Sequence, residues 1–149
     1  MRVVLDKNVI ISAAISRNGP PALIIRAWID GEFELIVSKR LLGEIQRALA
    51  YTKVASRIDS DEAIELIEVL ERHITLAADP IEAPGVGARD NADNFLLALA
   101  EAKSALLVSG DAHFLELSDR IPVVPPRQFV KHLEQCKGAA GRVECPSRA

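Results

Sequence analysis

The chain has 149 residues, of which 49% are hydrophobic and only 4% aromatic, and its formal net charge is -3. A chain of this length and composition is expected to form one domain with a sizeable core, which argues against a disordered protein. The few aromatic residues and the negative charge argue against base-stacking platforms and against binding of nucleic acid by a bulk positive field. Any nucleic acid contact must therefore be local, or helped by bound cations.

The N-terminal apolar run is interrupted by polar residues. The apolar residues 3–5 predict a buried strand. They are followed by three polar residues, Asp6, Lys7 and Asn8, and then by the apolar residues 9–11. The interruption prevents formation of a signal-peptide core, and no later apolar stretch is long enough to span a bilayer. We therefore expect a cytoplasmic protein.

Short strand patterns alternate with helical patterns along the rest of the chain. The predicted strands, bounded by turn or cap residues, are residues 2–5, 34–37, 105–108 and 121–124. The predicted helices are residues 20–30, 39–50, 61–73, 94–103 and 127–135. Ser38 is the predicted cap of the second helix, and Pro122 confines the last strand to a sheet edge. This alternation predicts an α/β fold with a mainly parallel sheet across residues 1–133.

Two segments carry no regular pattern. Residues 80–88 are predicted to form a loop, and residues 134–149 a flexible C-terminal tail that contains both cysteines. Cys136 and Cys145 could pair with each other, but two thiols in a Gly/Ala-rich segment are neither a disulfide framework nor a zinc site.

Two acidic residues follow predicted strands. Asp6 comes directly after the strand at 2–5, and Asp111 follows the strand at 105–108. Ligands of open parallel sheets bind at the carboxyl ends of the strands, so the two carboxylates could face one crevice. Alternatively, Asp6 caps a turn and Asp111 is the N-cap of a short helix.

A third acid lies on the apolar stripe of a predicted helix. Glu44 shares helical spacing with Leu41 and Ile45, so its carboxylate is aimed inward or at the edge of the stripe. Burial penalises such a group unless it is paired, which favours a functional role. The alternative is an exposed ion pair with Arg40 or Arg47, which would contribute only about 0.3–0.5 kcal/mol.

Two further acids, Asp90 and Asp93, precede the most apolar helix at capping-box spacing. One cap is sufficient for a helix, so Asp93 is carried close to the interior. Acids at the ends or inner faces of core elements suggest a metal site, and oxygen ligands suit Mg²⁺ or Mn²⁺. The three histidines are scattered and do not suggest zinc.

Four motifs in register resemble those of the PIN-domain family. They are D-x-N-V-x-I-S-A from Asp6, S-x-x-L-L-x-E-I from Ser38, R-D-x-x-D-N-x-x-L-x-L-A from Arg89, and V-S-G-D-x-H-x-L from Val108. The closing I-P-V-V-P-P-R-Q-F is similar to the family's final strand and helix entry. The resemblance covers residues 1–133 and is strongest to the VapC-like branch, the bacterial and archaeal toxin components of toxin–antitoxin pairs.

This resemblance implies a three-layer α/β/α fold and an acidic site that binds Mg²⁺ or Mn²⁺. The family's acids correspond to Asp6, Glu44, Asp93 and Asp111, with Asp6 and Asp93 expected as the principal ligands. Asn8 and Ser109 match supporting positions, and Asp90 matches an acid of the loop motif whose role stays open.

The implied activity is divalent-metal-dependent hydrolysis of RNA phosphodiester bonds. Four basic residues could position the RNA backbone, namely Arg17, Lys39, Arg40 and Arg89. By analogy, the partners are a small antitoxin protein and a second copy of the chain. Ala22, Ile25 and Trp28 could serve such contacts, or could belong to the core.

One residue departs from the family pattern. A small hydroxyl residue usually follows the first aspartate, and here Lys7 takes that position. An ammonium group beside the site could compete with the cation, so we expect Lys7 to weaken Mg²⁺ binding. The alternatives are that Lys7 points away from the site or contacts the scissile phosphate.

Other classes fit the sequence less well. A haloacid-dehalogenase-type phosphatase needs an aspartate where Asn8 lies, and a receiver domain normally has paired acids before its acceptor strand and a late lysine. A PIN module that binds RNA or a protein without cleavage, and a housekeeping PIN ribonuclease, both remain open alternatives.

Overall fold

A computed structural model describes residues 1–16, 18–54, 60–77, 94–116, 118–119 and 122–138. In chain order these residues form β1 (Arg2–Leu5), α1 (Lys7–Ile15), α2 (Pro20–Ile29), β2 (Glu34–Ser38), α3 (Lys39–Val54), α4 (Ser60–His73), β3 (Thr75–Ala77), α5 (Asn94–Ala102), β4 (Leu106–Val108), α6 (Ala112–Leu115), β5 (Val123–Val124) and α7 (Pro126–Gly138).

The five strands form one parallel sheet with the order β3-β2-β1-β4-β5. Connections between parallel strands are right-handed. From β1 the chain extends the sheet on one side through β2 and β3, and on the other side through β4 and β5. The helices that connect the strands of these two halves therefore lie on opposite faces of the sheet. The helices between β1 and β3 contact one another, whereas α5 contacts β1 and β4. The predicted three-layer α/β/α fold is therefore confirmed.

The core lies on both faces of the central strands. Val3, Val4 and Leu5 of β1 are fully buried, as expected for a strand covered by helices on both sides. On α2, Ala22, Ile25 and Trp28 are 7%, 7% and 4% exposed. These three residues are therefore core residues and not exposed partner contacts, which decides between the two expectations.

Helix α1 and strand β3 were absent from the sequence prediction. Helix α1 has two buried residues, Val9 and Ile10, and from Val9 to Ile15 it is apolar except at Ser12. Such a segment has no clear 3.6-residue period, so the pattern does not distinguish helix from strand. Strand β3 has only three residues, which is too short to show a period.

The ends of the predicted elements shift by a few residues. Helix α3 continues to Val54 and α7 to Gly138, beyond the predicted domain boundary at residue 133. The division into a domain and a tail stays a prediction. Several predicted features lie outside the described residues, namely the loop at 80–88, Arg17, Arg89, Asp90, Asp93, Cys145 and residues 139–149.

Across the described ranges, no helix has both the length and the apolar character required to cross a bilayer.

Candidate functional site

Asp6 begins helix α1 at the point where β1 ends. Its backbone is extended, and its Oδ1 accepts a hydrogen bond from the backbone N–H of Asn8 at 3.2 Å. Asp111 does the same for α6, accepting from the backbone N–H of His113 at 2.9 Å. Each aspartate is therefore a helix N-cap, which the structural alternative predicted for Asp111, whereas for Asp6 it predicted the cap of a turn. Capping uses only one of the two oxygens of each carboxylate.

Ser109 links the two aspartates. Its Oγ donates a hydrogen bond to Oδ2 of Asp6 at 2.8 Å and accepts one from the backbone N–H of Asp111 at 3.0 Å. Ser109 is completely buried and Asp6 is 4% exposed. The pairing of β1 with β4 continues one residue further, because the N–H of Asp6 donates to the carbonyl of Val108 at 3.0 Å. This pairing fixes the two strand ends side by side.

Both aspartates line a cavity of about 300 Å³ at the carboxyl edge of the sheet. Its walls are formed by Asp6, Asn8, Val9, Ser12, Pro21, Gly110, Asp111 and Pro126. The cavity lies at the ends of β1 and β4, where successive connections leave the sheet in opposite directions. In open α/β sheets this switch point is the usual ligand-binding crevice.

The cavity also receives the N-termini of four helices. Asp6 and Asp111 cap α1 and α6, while Pro21 and Pro126 lie in the first turns of α2 and α7. The N-terminus of a helix carries a partial positive charge that stabilises nearby anions. This arrangement lowers the cost of holding two carboxylates in one cavity.

Sequence reasoning missed Ser12, which contributes its side of α1 to the cavity wall. Ser12 is four residues after Asn8 and therefore lies one helical turn along the same face. The signal was the serine of the motif D-x-N-V-x-I-S-A, but its position has meaning only once residues 7–15 are known to be a helix.

Glu44 lies apart from these cavity walls. Its neighbours Leu41, Ile45 and Leu49 are at most 1% exposed, whereas Glu44 is half-buried at the edge of this stripe. Although Arg40 and Arg47 are both described, Glu44 forms no ion pair with either. The structure therefore does not show the exposed ion pair of Glu44 that was the structural alternative. It also does not place Glu44 among the residues that line the cavity.

The first turn of α3 contacts the first turn of α5. Ser38 caps α3, as predicted, by accepting a hydrogen bond from the N–H of Leu41 at 3.1 Å. The guanidinium group of Arg40 lies 4.2 Å above the ring centroid of Phe95, the second residue of α5. Asp93 precedes α5 directly in the sequence and lies outside the described residues.

The donor set at the cavity suits a hard divalent cation. Each carboxylate oxygen has two lone pairs, and each oxygen of Asp6 uses one of them for the hydrogen bonds given above. The remaining lone pairs can bind an ion such as Mg²⁺ or Mn²⁺, which prefer oxygen ligands. Within the described part of the chain, no group of three or more His, Cys, Asp or Glu residues could hold a metal ion.

The fold and the cavity together define a class of protein, a three-layer α/β/α domain with paired carboxylates at the switch point of its parallel sheet. Comparison with known families narrows this class. Residues 2–113, most of the chain, match the PIN domain. The chain belongs to the PIN-domain family.

One relative and three solved structures are examples of the proteins that the chain resembles. The uncharacterised protein MJ1680 of Methanocaldococcus jannaschii is 25% identical over 145 residues, covering 91% of this chain and 93% of that protein. The PilT N-terminus domain protein SSO1118 of Sulfolobus solfataricus P2 has a TM-score of 0.51 at 16% identity, covering 89% and 93% of the two chains.

The other two structures are VapBC assemblies. VapBC2 of Rickettsia felis, bound to a DNA fragment from its promoter, gives a TM-score of 0.57 at 14% identity, covering 84% of this chain and 98% of that chain. VapBC-1 of nontypeable Haemophilus influenzae gives 0.55 at 18% identity, covering 85% and 99%. At these identities the likeness shows a shared fold.

Proposed function

We propose that the protein is an endoribonuclease that hydrolyses RNA phosphodiester bonds with Mg²⁺ or Mn²⁺ in the cytoplasm. The observation that carries this proposal is the coupling of Asp6 and Asp111 through Ser109 in a cavity at the switch point of a PIN-domain sheet. Each strand end supplies a carboxylate, and each carboxylate keeps lone pairs that can bind a cation.

Each candidate residue has a distinct role in this proposal. Asp6 and Asp93 hold the cation, and Asp111 and Glu44 complete its coordination directly or through water. Asn8 orients Asp6 through its backbone N–H, and Ser109 orients it through its hydroxyl. These two contacts fix both oxygens of Asp6 before any ligand arrives, so little ordering is required on binding. Asp90 belongs to the same acidic segment, with its role open.

The bound cation would activate water and neutralise charge on the phosphate, which is the chemistry that phosphodiester hydrolysis requires. It would also convert an acidic cavity into an acceptor for a polyanion, which reconciles an RNA substrate with a chain of net charge -3.

We further propose that the protein is the toxin of a toxin–antitoxin pair, forming a homodimer that a small antitoxin protein holds inactive. The similarity in fold to two VapBC assemblies supports this role. The genomic test is a short adjacent reading frame that encodes a small DNA-binding protein. A gene without such a neighbour favours a housekeeping ribonuclease.

The second candidate is a PIN module that binds RNA or a protein without cleavage. Lys7 favours it, because this residue follows Asp6 directly and brings a positive charge to the start of α1. A positive charge at this position opposes binding of a divalent cation.

Cleavage of a mixed RNA pool separates the two candidates. We expect cleavage to require Mg²⁺ or Mn²⁺, and to fall at least about 100-fold in Asp6→Asn and Asp93→Asn, since loss of even a supporting group near a metal costs 10–100-fold. Asparagine is itself a good N-cap, so Asp6→Asn should keep the start of α1.

The matched control is Asp119→Asn, which removes an exposed carboxylate from a turn. Cleavage that persists in both site variants, or without any divalent cation, would contradict the ribonuclease proposal. Folding of each variant is checked by circular dichroism and thermal unfolding.

A further inference from the structure

We propose that one exposed face of α3 binds the backbone and bases of a single-stranded RNA that enters the site. This face, the Arg–Tyr row, consists of Arg40, Arg47 and Tyr51. The inference rests on the proposed ribonuclease function, and it adds a binding surface outside the cavity.

The three side chains lie along one line of the helix. At 100° per residue they fall within about 40° of one another around the axis, and they span about 16 Å along it. All three are exposed, and Tyr51 is 78% exposed, far more than a tyrosine that contributes to a core. The row therefore presents two guanidinium groups and one aromatic ring to the same side of the molecule.

The row begins at the edge of the sheet that carries the cavity. Arg40 is the second residue of α3, immediately after β2 ends at Ser38. Glu44 lies between Arg40 and Arg47 along the axis and about 40° toward the buried face. An RNA strand that follows the row therefore passes beside Glu44, a candidate residue of the site, as it approaches the cavity.

The two arginines are placed to bind phosphates. The guanidinium of Arg40 lies 4.2 Å from the ring centroid of Phe95, and this contact holds its positive charge at the first turn of α3. Arg47 extends back along the helix, because its Nη1 lies 3.4 Å from the point where a Cβ on Gly43 would be. The positive charge of Arg47 therefore lies closer to the first turns of α3, and so closer to the edge of the sheet that carries the cavity.

The charge distribution directs a polyanion to this helix. Helix α3 has four basic residues and one acidic residue, a net charge of +3 in a chain of net charge -3. Its neighbour α4 has five acidic residues and one arginine, a net charge of -4 with histidine neutral. A phosphate backbone is therefore attracted to α3 and repelled by α4, which fixes the side from which RNA approaches.

The positive charge of the row favours a polyanion such as RNA, since arginine and tyrosine as residue types are equally common at protein interfaces. The chain has too few aromatic residues for a platform that stacks several bases, but one exposed ring can stack on one unpaired base irrespective of sequence, and adjacent basic groups can bind the neighbouring phosphates. Double-stranded RNA offers no unstacked bases for such a ring. The row therefore fits a single strand, and a protein partner or a second copy of this chain is the competing outcome.

The test measures RNA binding without cleavage. The full chain, in EDTA, is titrated into a fluorescein-labelled single-stranded RNA of about 12 nucleotides, and anisotropy is recorded at several salt concentrations. The variants are Arg47→Gln and Tyr51→Ala, and the control is Arg72→Gln, which removes an exposed arginine from α4. Sedimentation velocity of each variant reports its oligomeric state.

We expect Arg47→Gln to weaken RNA binding about 3- to 10-fold and to reduce the slope of log K against log salt by about 0.7, the value for one phosphate contact on a single strand. Tyr51→Ala should weaken binding at least about 5-fold, the lower range for one stacked base, and leave the salt slope unchanged. Arg72→Gln should bind RNA like the original chain.

Unchanged affinity and slope in Arg47→Gln, or no RNA binding by the original chain, would overturn the proposal. A shift in oligomeric state with unaltered RNA binding would do the same and would assign the row to a protein interface. Metal-dependent cleavage that is lost in Asp6→Asn would still support the ribonuclease function, so the two proposals can fail separately.

Discussion

At the scale of single residues, Asp6 shows that a helix cap and a candidate ligand can be the same side chain. One oxygen accepts the N–H of Asn8, the other accepts the hydroxyl of Ser109, and the carboxylate still faces the cavity. Because these bonds hold both oxygens in place, the capping role prepares the carboxylate for a cation and does not compete with that function. The structural and functional interpretations of Asp6 are therefore compatible.

Lys7 is the residue whose replacement should strengthen metal binding. It is the half-buried first residue of α1, directly after Asp6. Removing a nearby unit charge in Lys7→Thr should change the binding free energy by on the order of 1 kcal/mol, or raise Mn²⁺ affinity about fivefold. Isothermal titration calorimetry measures this affinity directly. Lys131→Thr, an exposed lysine of α7, is the control, and equal affinities of all three proteins would remove the hypothesis.

At the scale of elements, two glycines have opposite roles in neighbouring helices. Gly31 ends α2 with φ of +80°, while the N–H groups of Gly31 and Glu32 donate to the carbonyls of Trp28 and Ala27. This is a Schellman motif, in which the left-handed residue favours glycine. Gly43 lies in the interior of α3, where glycine is less favourable than alanine.

The two glycine-to-alanine variants should therefore change stability in opposite directions. Gly31→Ala should lower the free energy of unfolding by about 1 kcal/mol, because an alanine is strained at positive φ even where no atom of the described residues lies within 4 Å of its Cβ. Gly43→Ala should raise it by about 0.5–1 kcal/mol, since among the described residues the new Cβ meets only the end of Arg47. Urea denaturation of both proteins checks the signs, and a shared sign would contradict this account.

At the scale of the whole molecule, the strand order creates the candidate site. Strand β1 lies in the middle of the sheet, and β4 pairs with it although about a hundred residues separate them. This pairing places Ser109 against Asp6 and opens the cavity between the two strand ends. Any ligand bound there connects distant parts of the chain, so binding should stabilise the whole fold.

Metal binding should therefore raise the melting temperature. A ligand present at 100 times its dissociation constant stabilises a protein by about 2.7 kcal/mol, which corresponds to about 5–10 °C for a domain of this size. We expect this shift with Mn²⁺, its loss in Asp6→Asn and its retention in Asp119→Asn, measured by differential scanning fluorimetry. An equal shift in Asp6→Asn would show that the cation binds elsewhere.

The local pattern of the sequence was sufficient to predict most of the helices and strands and some of the residues that cap the helices. Ser38 was identified as a cap and Asp111 as a possible one, because a small polar residue between a strand and a helix has few other uses. The four motifs that begin at Asp6, Ser38, Arg89 and Val108 were sufficient to identify the PIN-domain family. Helix α1 escaped prediction because an almost wholly apolar segment has no periodic signal.

Only the tertiary structure decided how the candidate acids are arranged. It brought Asp6 and Asp111 to one cavity, joined them through Ser109, and left Glu44 half-buried on α3 outside the cavity wall. Local sequence determines the conformation of a segment through helix and strand propensity, the period of its hydrophobic residues and its capping residues. The neighbours of a strand depend on the packing of the entire chain, and the relation between distant carboxylates is set by that packing alone.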